Sequence, residues 1–525
     1  MERMGFGFKF LSWIDMLHSG ARTRFILAKL TDPIDVAFSI RQGDPLAMLL
    51  YIIYVEPLLV YIEKRISCRA LQVLPPQGFQ PQKGATESYC DDINVMTTNE
   101  QDLCIVDEGV RKFEVVSGAI LSRNRKCKIL GVGRWSRKNS WALDYVQTAK
   151  EIKVFGIFLL NSYVDTLKRN WDFRFRKFEQ AVHSWSSRFL EHLNQRVEVL
   201  KTFALSRVYY VASVLPLSKT IGKKFEKLMG KFIWSLSGKI LRVSINELKL
   251  PVDKGGLGLT CVVSMAESLL LTQLLRLLKY GDQKSITHVS FWLGEILKDI
   301  SPSFDQGIHP STVSLYFQSL ACVIADARIR DVVTADNWKN VTNKVAYNTI
   351  VSTFSLSKVE IDAGVSLSVV WSRLGRSTLS AEIREVLFLL VHNKLPTQER
   401  LFRIRSVQEP YCERCNGKMI GDLVHYFCLC NSVANAWNDV KNILDILIQG
   451  NVSDYDLINL RYSKCQFEEE VIWVIGSYVH YVWRLIHVEG KHFVDRGKLF
   501  GFLKFKYRCA QLGHRTKLNI ASLSS

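Results

Sequence analysis

The sequence has no uninterrupted apolar run long enough to cross a membrane. Two apolar stretches, Leu46–Ile62 and Val471–Trp483, are either broken by Glu56-Pro57 or too short, and a spanning helix needs roughly twenty consecutive apolar residues. Residues Met1–Gly20 lack the apolar core and the small-residue site of a secretory signal. We therefore expect both stretches to form buried helices, and we expect no membrane partner.

Acidic residues are in deficit, and neither an internal repeat nor a low-complexity tract is present. The 525 residues include 69 Lys and Arg against 50 Asp and Glu, which gives a net charge of +19 and a pI of about 9.3. A chain this basic most often binds a polyanion, although a well-hydrated surface explains the charge alone equally well. With 48% hydrophobic residues the chain is no disordered protein, and its length predicts three or four domains.

The spacing of the twelve cysteines does not indicate a disulfide framework. Four of them, Cys412, Cys415, Cys428 and Cys430, lie within nineteen positions, and the other eight are scattered. Scattered cysteines are typical of reduced thiols inside cells. We expect an intracellular protein, without a preference for nucleus or cytoplasm.

The sequence pattern of residues 1–160 predicts a mixture of helices and strands. Beyond them the chain is more basic, and its pattern predicts mostly helices. The hydrophobic periodicity and the turn residues place the elements of the first part as follows. Helices are predicted at Phe8–Leu17, Gln42–Ile62 and Leu103–Val116, a hairpin around Tyr89–Asp92 and a final strand at Ile152–Leu160.

The segment Tyr89-Cys90-Asp91-Asp92 carries two adjacent acids at the predicted tip of a hairpin. Like charges repel, so adjacent carboxylates are costly unless a cation lies between them. In nucleotide polymerization two Mg²⁺ ions bound by such acids hold the attacking 3′-oxygen and the leaving phosphates. Taken alone, the pair is more simply explained as a solvated turn, because short motifs match often by chance.

Three further segments occur in a fixed order around this pair. Arg41-Gln42-Gly43-Asp44-Pro45-Leu46 precedes it, Ser117-Gly118-Ala119 with Asn124 and Lys126 follows, and Lys153–Ile157 comes last. The four segments together resemble the reverse transcriptases of non-LTR (LINE-type) retrotransposons. Cys90 replaces the usual alanine of that family, and we interpret it as variation and not as a nucleophile.

The resemblance implies a role for each matching residue. Asp91 and Asp92 are the implied catalytic residues and the ligands of Mg²⁺, and Phe155 and Gly156 belong to the implied primer grip. The implied substrate-binding residues are Arg41, Gln42, Gly43, Tyr89 and Lys126.

The family also carries a first catalytic aspartate on an earlier strand, and no acid of this sequence matches it. The chain starts with a segment similar to the helix that follows this aspartate in the family, and Glu2, Asp15, Asp32 and Asp35 fit other roles. Fingers and an endonuclease domain are likewise unmatched. We therefore expect negligible polymerization, since losing an essential catalytic group costs several orders of magnitude, and we expect a truncated or domesticated remnant or an incomplete gene model.

Residues Trp171–Trp234 resemble the family's thumb. Their basic side chains are suited to phosphates and predict salt-dependent binding. Aromatic side chains in this segment could stack on bases, but at helical spacing they are more often part of a core.

The cysteine cluster has the spacing of a zinc site. Cys412-x2-Cys415-x9-His425-x4-Cys430 offers four ligands for one tetrahedral Zn²⁺, and the segment resembles the family's C-terminal zinc-binding segment. Cys428 is the rival fourth ligand, and free thiols around a buried histidine are the alternative. Four protein ligands fill the metal's coordination sphere, so the predicted role is structural.

The predicted fold class is α+β, with a partial polymerase palm followed by a mostly helical thumb and C-terminal region. By lineage we expect an RNA-directed DNA polymerase that is inactive as this chain; the alternative is a nucleic-acid-binding remnant or domesticated protein without catalysis. The expected partners are an RNA template and a DNA primer or target, with Mg²⁺ if the chain is active and structural Zn²⁺. The predicted domains are palm (1–160), thumb (161–260), helical connector (261–400), zinc-binding segment (401–440) and C-terminal helices (441–525).

Overall fold

The structure is a computed structural model. It describes residues 1–20, 22–26, 30–35, 44–66, 86–89, 92–123, 127–188, 190, 192–234, 243–305, 313–330, 333–352, 354, 367–375, 379–415 and 419–512. Helices alternate with small two-stranded sheets in the first part, and helices dominate the rest, as the α+β prediction requires. No helix among these residues is both long and apolar enough to cross a membrane.

The chain divides into two compact units. One comprises Met1–Asn170 and Arg276–Gln318, and the other comprises Trp171–Leu275 and Ser319–Ser525.

The strands pair in twos. The antiparallel pairs are β1 (Arg22–Thr23) with β2 (Ile34–Asp35), β3 (Thr86–Tyr89) with β4 (Asp92–Val95), and β7 (Glu151–Val154) with β8 (Ile157–Leu160). β5 (Lys128–Ile129) and β6 (Gln147–Thr148) run parallel.

The helices follow in chain order. They are α1 (Phe8–His18), α2 (Ala47–Arg65), α3 (Glu100–Ser117), α4 (Tyr163–Ser186), α5 (Leu193–Val199), α6 (Ser206–Ala212), α7 (Lys219–Ile233), α8 (Ile245–Lys249), α9 (Val262–Tyr280), α10 (Gln283–Leu297), α11 (Leu315–Ile324), α12 (Ala327–Arg330), α13 (Asn343–Ser352), α14 (Ser368–Leu374), α15 (Ala381–Val391), α16 (Gln398–Arg403), α17 (Ala434–Ile448), α18 (Asp454–Ile458), α19 (Glu468–His487) and α20 (Arg496–Leu512). Among the described residues, two π-helices occur at Leu200–Leu205 and His425–Leu429, and short 3₁₀ turns at Glu2–Met4, Gly133–Trp135, Val252–Lys254, Pro302–Phe304, Trp338–Asn340 and Glu413–Cys415.

In the first unit, α2 and α3 pack against each other beneath the β3–β4 hairpin. Leu58, Ile62 and Ile66 form the buried centre, and the side chains of Ile93 and Val95 from β4 pack on it. The hairpin is therefore held on two helices through its apolar face.

Two predicted element bounds are wrong, each for a local reason. The helix predicted from Gln42 begins at Ala47, because Pro45 has no N–H and the Asp44 carboxylate accepts the N–H of Leu46 at 2.8 Å in a turn. The strand predicted at Ile152–Leu160 is a hairpin, because the chain reverses between β7 and β8.

In the second unit the core is built around large buried side chains. Helix α19 is buried on most of its surface and packs against α15 and α17. Gly476 of α19 allows the close approach to α15, since a Cβ there would lie 2.4 Å from the Ile383 side chain. The core also holds Trp171, Phe178, Phe225, Trp371, Trp437 and Tyr478 at 1% exposure or less.

Candidate functional site

Tyr89 pairs with Asp92 at the end of the β3–β4 hairpin. Positions 90 and 91, which separate them, lie outside the described residues. The Asp92 side chain is exposed at the first position of β4. A hydrogen bond at 2.7 Å from the Thr86 hydroxyl to Glu63 of α2 fixes the other end of the hairpin. The strand register therefore leaves one predicted catalytic carboxylate open to solvent.

The structure brings the hairpin next to the predicted primer grip. The rings of Tyr89 and Phe155 meet edge to face with centroids 6.2 Å apart. Phe155 and Gly156 form the turn between β7 and β8, with φ of 47° and 83°. Two positive φ values are typical of a type I′ hairpin turn, in which a phenylalanine is unusual. Two predicted site residues from separate hairpins thus lie in contact.

Several predicted site residues lie outside the described part of the chain, so their contacts are not described. They are Arg41, Gln42, Gly43, Asp91 and Lys126, together with Cys90.

The described residues do not form a magnesium site at the hairpin. They place a single carboxylate, that of Asp92, at its end. Among the described residues, three or more possible metal ligands come together only in the cysteine cluster.

A charged network that the sequence did not predict supports the segment before Lys126. The Arg123 guanidinium donates two hydrogen bonds to the Glu114 carboxylate, at 2.8 and 2.7 Å, and the N–H of Leu121 donates to the same carboxylate at 2.6 Å. Two turns earlier on α3, Asp107 accepts from the Tyr145 hydroxyl at 2.5 Å. These bonds tie the chain on either side of the predicted nucleotide-phosphate lysine to α3.

The four predicted zinc ligands lie together. The ligand atoms of Cys412, Cys415, His425 and Cys430 are all within 4.8 Å of one another. The Cys412 and Cys430 sulfurs are 3.8 Å apart, and the Cys415 sulfur is 3.3 Å from Nε2 of His425. Around a tetrahedral Zn²⁺, two sulfurs at about 2.3 Å from the metal lie about 3.8 Å apart. The cluster could therefore hold a metal ion such as zinc.

Local backbone structure produces this arrangement. Tyr411 and Ile420 form an antiparallel bridge, which returns the chain over the turn that carries Cys415. His425 then begins the second π-helix, and the N–H of Cys430 donates to the carbonyl of His425 at 2.8 Å. This i to i+5 bond is the π-helical one, and it brings the two ends of the His-x4-Cys spacing together.

The electrostatics favour the metal-binding protonation state at Cys430 and His425, whereas burial raises the pKa of the Cys412 thiol. Burial raises the pKa of the Cys430 thiol, but hydrogen bonds from the hydroxyl and N–H of Ser432, the charge of Arg414 and a hydrogen bond with Cys412 together outweigh burial and leave this pKa lowered. Burial and the Arg414 charge lower the pKa of His425, which keeps the imidazole neutral. Thiolate and neutral imidazole are the forms that bind metals.

Cys428 lies apart from this group. Its thiol is buried, and burial raises its pKa far above the usual value. It is absent from the set of converging ligand atoms, where Cys430 is present. The geometry therefore favours Cys430 over Cys428 as the fourth ligand.

In the thumb-like segment, helix α7 has a buried apolar face and an exposed face that carries lysines. Its buried face includes Phe225, Met229 and Phe232. Its one acid, Glu226, pairs with Lys249 of α8 at 2.5 Å, so it does not neutralise the lysines on the outer face. The exposed lysines of this face are Lys219, Lys223, Lys224, Lys227 and Lys231.

No protein-family model matches the chain. The chain is similar to the "Transposon TX1 uncharacterized 149 kDa protein" of Xenopus laevis, at 25% identity over 294 residues that cover 54% of this chain and 21% of that protein. The chain thus spans about a fifth of the length of this curated relative.

Proposed function

We propose that this chain derives from the RNA-directed DNA polymerase of a non-LTR retrotransposon and that it binds RNA and DNA without extending a primer. The observation that carries the proposal is the contact of Tyr89 with Phe155. In the family that the sequence resembles, the corresponding segments form the catalytic hairpin and the primer grip, which serve one site. The likeness to a transposon protein supports the same origin.

The proposal of binding without catalysis rests on a missing metal-binding acid and on exposed lysines. The resemblance calls for three metal-binding acids, and only Asp91 and Asp92 stand in a matching segment. The exposed lysines of α7 remain available to phosphates, because Glu226 is taken up by Lys249. Cations that replace counterions on a nucleic acid give affinity without any reaction.

The C-terminal module is proposed to hold one structural Zn²⁺. Cys412, Cys415, His425 and Cys430 are its ligands, and a site closed by four protein ligands leaves no position for a substrate. The metal would fix the bridge of Tyr411 with Ile420 relative to α17 and so stabilise this part of the second unit.

Primer extension on poly(rA)/oligo(dT) with Mg²⁺ tests the lack of catalysis. The 525-residue chain should bind the template-primer, with an affinity that falls as salt is raised, and should yield no extended product. A known active reverse transcriptase serves as the positive control. Mg²⁺-dependent synthesis that disappears in Asp92→Ala would contradict the proposed inactivity, and failure to bind any nucleic acid would contradict the proposed function.

A further inference from the structure

The aromatic side chains of the thumb-like segment range from fully buried to exposed. Trp171, Phe178 and Phe225 are fully buried and form core. Phe203 and Tyr210, by contrast, expose 46% and 47% of their surface. Phe203 is exposed although Leu200, Ala204 and Leu205 around it are buried. A core role therefore accounts for the first three residues and not for Phe203 and Tyr210.

The exposed ring of Phe203 is linked through Trp185 to an arginine side chain. The Arg188 guanidinium lies 4.2 Å from the centre of the Trp185 ring, and the Phe203 ring lies against Trp185 with centroids 4.7 Å apart and an interplanar angle of 33°. Trp185 itself is half-buried. Cation, indole and phenyl ring thus form a series of contacts that ends in an exposed ring.

The backbone at Phe203 holds this arrangement in place. Phe203 lies in the first π-helix, between α5 and α6, and π-helical turns occur frequently at functional sites. Nε of Arg207 donates to the Phe203 carbonyl at 3.2 Å, and the Arg207 carbonyl accepts from Arg174 at 3.5 Å. These bonds hold Arg174 and Arg207 beside the turn that carries Phe203.

The charge of this surface is uncompensated. In the described part of the chain, Arg174, Arg188 and Arg207 make no ion pair with an acidic residue. The nearby Glu198 pairs with Lys201 at 2.9 Å. Three guanidinium groups beside exposed rings suit a ligand that has both negative charge and flat aromatic faces.

From these contacts we infer that Trp185, Phe203 and Tyr210, with Arg174, Arg188 and Arg207, form a surface that binds single-stranded nucleic acid by stacking on unpaired bases. This inference rests on the proposed nucleic-acid binding and specifies its ligand. The arginines neutralise the phosphates, and the Phe203 ring stacks on a base. A duplex cannot use the ring, because its bases are stacked on one another.

Fluorescence anisotropy of the full chain with short labelled oligonucleotides tests the inference. The ligands are oligo(dT), oligo(U), an abasic strand of the same length and a duplex. Phe203→Ala should weaken binding of the base-bearing strands by roughly 5- to 100-fold, the effect of losing one base–aromatic stack. Binding of the abasic strand and of the duplex should stay unchanged. Loss with oligo(U), with oligo(dT) or with both supports the inference and shows whether RNA or DNA is preferred.

The controls separate stacking from folding. Phe203→Tyr keeps a ring and should restore binding. Phe505→Ala removes another exposed phenylalanine, on α20, and should have no effect. The inference is overturned if Phe203→Ala binds like the parent, or if it loses abasic strand and duplex as strongly as oligo(dT). A parent chain that binds no nucleic acid at all overturns the proposed function as well.

Discussion

Cys428 and Cys430 are two residues apart, yet their sulfur atoms are in different surroundings. Cys430 accepts a hydrogen bond from the Ser432 hydroxyl at 3.3 Å and lies 3.8 Å from the Cys412 sulfur. Cys428 is buried away from the other ligands. The pair therefore provides a matched test of the proposed zinc site.

Cys430→Ser should reduce the zinc content of the purified chain from one ion to well below one, because three ligands hold the metal weakly. Cys428→Ser should retain one zinc ion. Elemental analysis by mass spectrometry measures both. Equal zinc content in the two variants, or a parent chain with well under one zinc ion, would contradict the assignment.

Asp107 predicts a pH dependence for the first unit. Burial raises the pKa of this carboxyl, but hydrogen bonds from Tyr145 and Arg111 and the charges of Arg111 and Arg123 outweigh burial and lower it. A carboxyl with a lowered pKa in the folded state contributes stability above its unfolded value, near pH 4. This contribution is lost as the pH falls through the folded pKa.

Asp107→Asn should therefore cost about 1–3 kcal/mol of unfolding free energy at pH 6, the usual range for hydrogen bonds to a charged group. The difference from the parent should shrink as the pH falls below about 4. Urea titrations of both proteins across this range measure it. A difference that stays constant with pH would show that the carboxylate charge is not responsible.

At the scale of elements, substitution by alanine is expected to have opposite effects on the unfolding free energy at two helical glycines. Gly476 of α19 faces α15, and a Cβ would lie 2.4 Å from Ile383 and 3.1 Å from Leu387. A Cβ added at Gly501 of α20 would have no atom within 4 Å. Alanine stabilises a helix by about 1 kcal/mol relative to glycine. Forcing an extra carbon atom into a packed core lowers the unfolding free energy by about 1–3 kcal/mol.

Gly476→Ala should therefore lower the unfolding free energy, and Gly501→Ala should raise it by up to about 1 kcal/mol. Urea midpoints of the two variants against the parent give the sign of each change. A urea midpoint of Gly476→Ala equal to or above that of the parent would show that the close approach of α15 and α19 does not exclude a Cβ at this position.

Both π-helices lie at candidate sites. The first presents Phe203 to solvent beside Arg207. The second joins His425 to Cys430. Since π-helical turns are rare and tend to occur at functional sites, the two irregular turns favour the same surfaces that the side chains indicate.

At the scale of the whole molecule, the net charge of +19 predicts a strong salt dependence of nucleic-acid binding. Lys223 and Lys227 are exposed on α7. Replacing both by glutamine should reduce the slope of log K against log salt by about 1.5, because each phosphate contact contributes roughly 0.7 to 0.9. Anisotropy titrations at several salt concentrations measure the slope.

Lys464→Gln with Lys498→Gln is the matched control, since it removes the same charge from exposed positions elsewhere. Its slope should stay close to that of the parent. Equal slopes in the two double variants would show that overall charge, and not the α7 face, governs binding.

Local patterns were enough to predict several features of this chain. β-prone residues on either side of the acidic pair predicted the hairpin, and β3 and β4 form it. The spacing of Cys412, Cys415, His425 and Cys430 predicted ligands that the structure brings together. The roles of Arg41, Gln42, Gly43, Asp91 and Lys126 stay predictions, because these residues lie outside the described part of the chain.

The amino-acid sequence by itself determined the basic charge, the hairpin and the ligand spacing, because each depends on residues close together along the chain. Tertiary structure alone decided that Tyr89 meets Phe155 and that Arg123 is tied to Glu114. It also decided that Phe203 is exposed while Phe225 is buried. Helical spacing gives such aromatic residues the same pattern, and only the packing of neighbouring helices determines which face is covered.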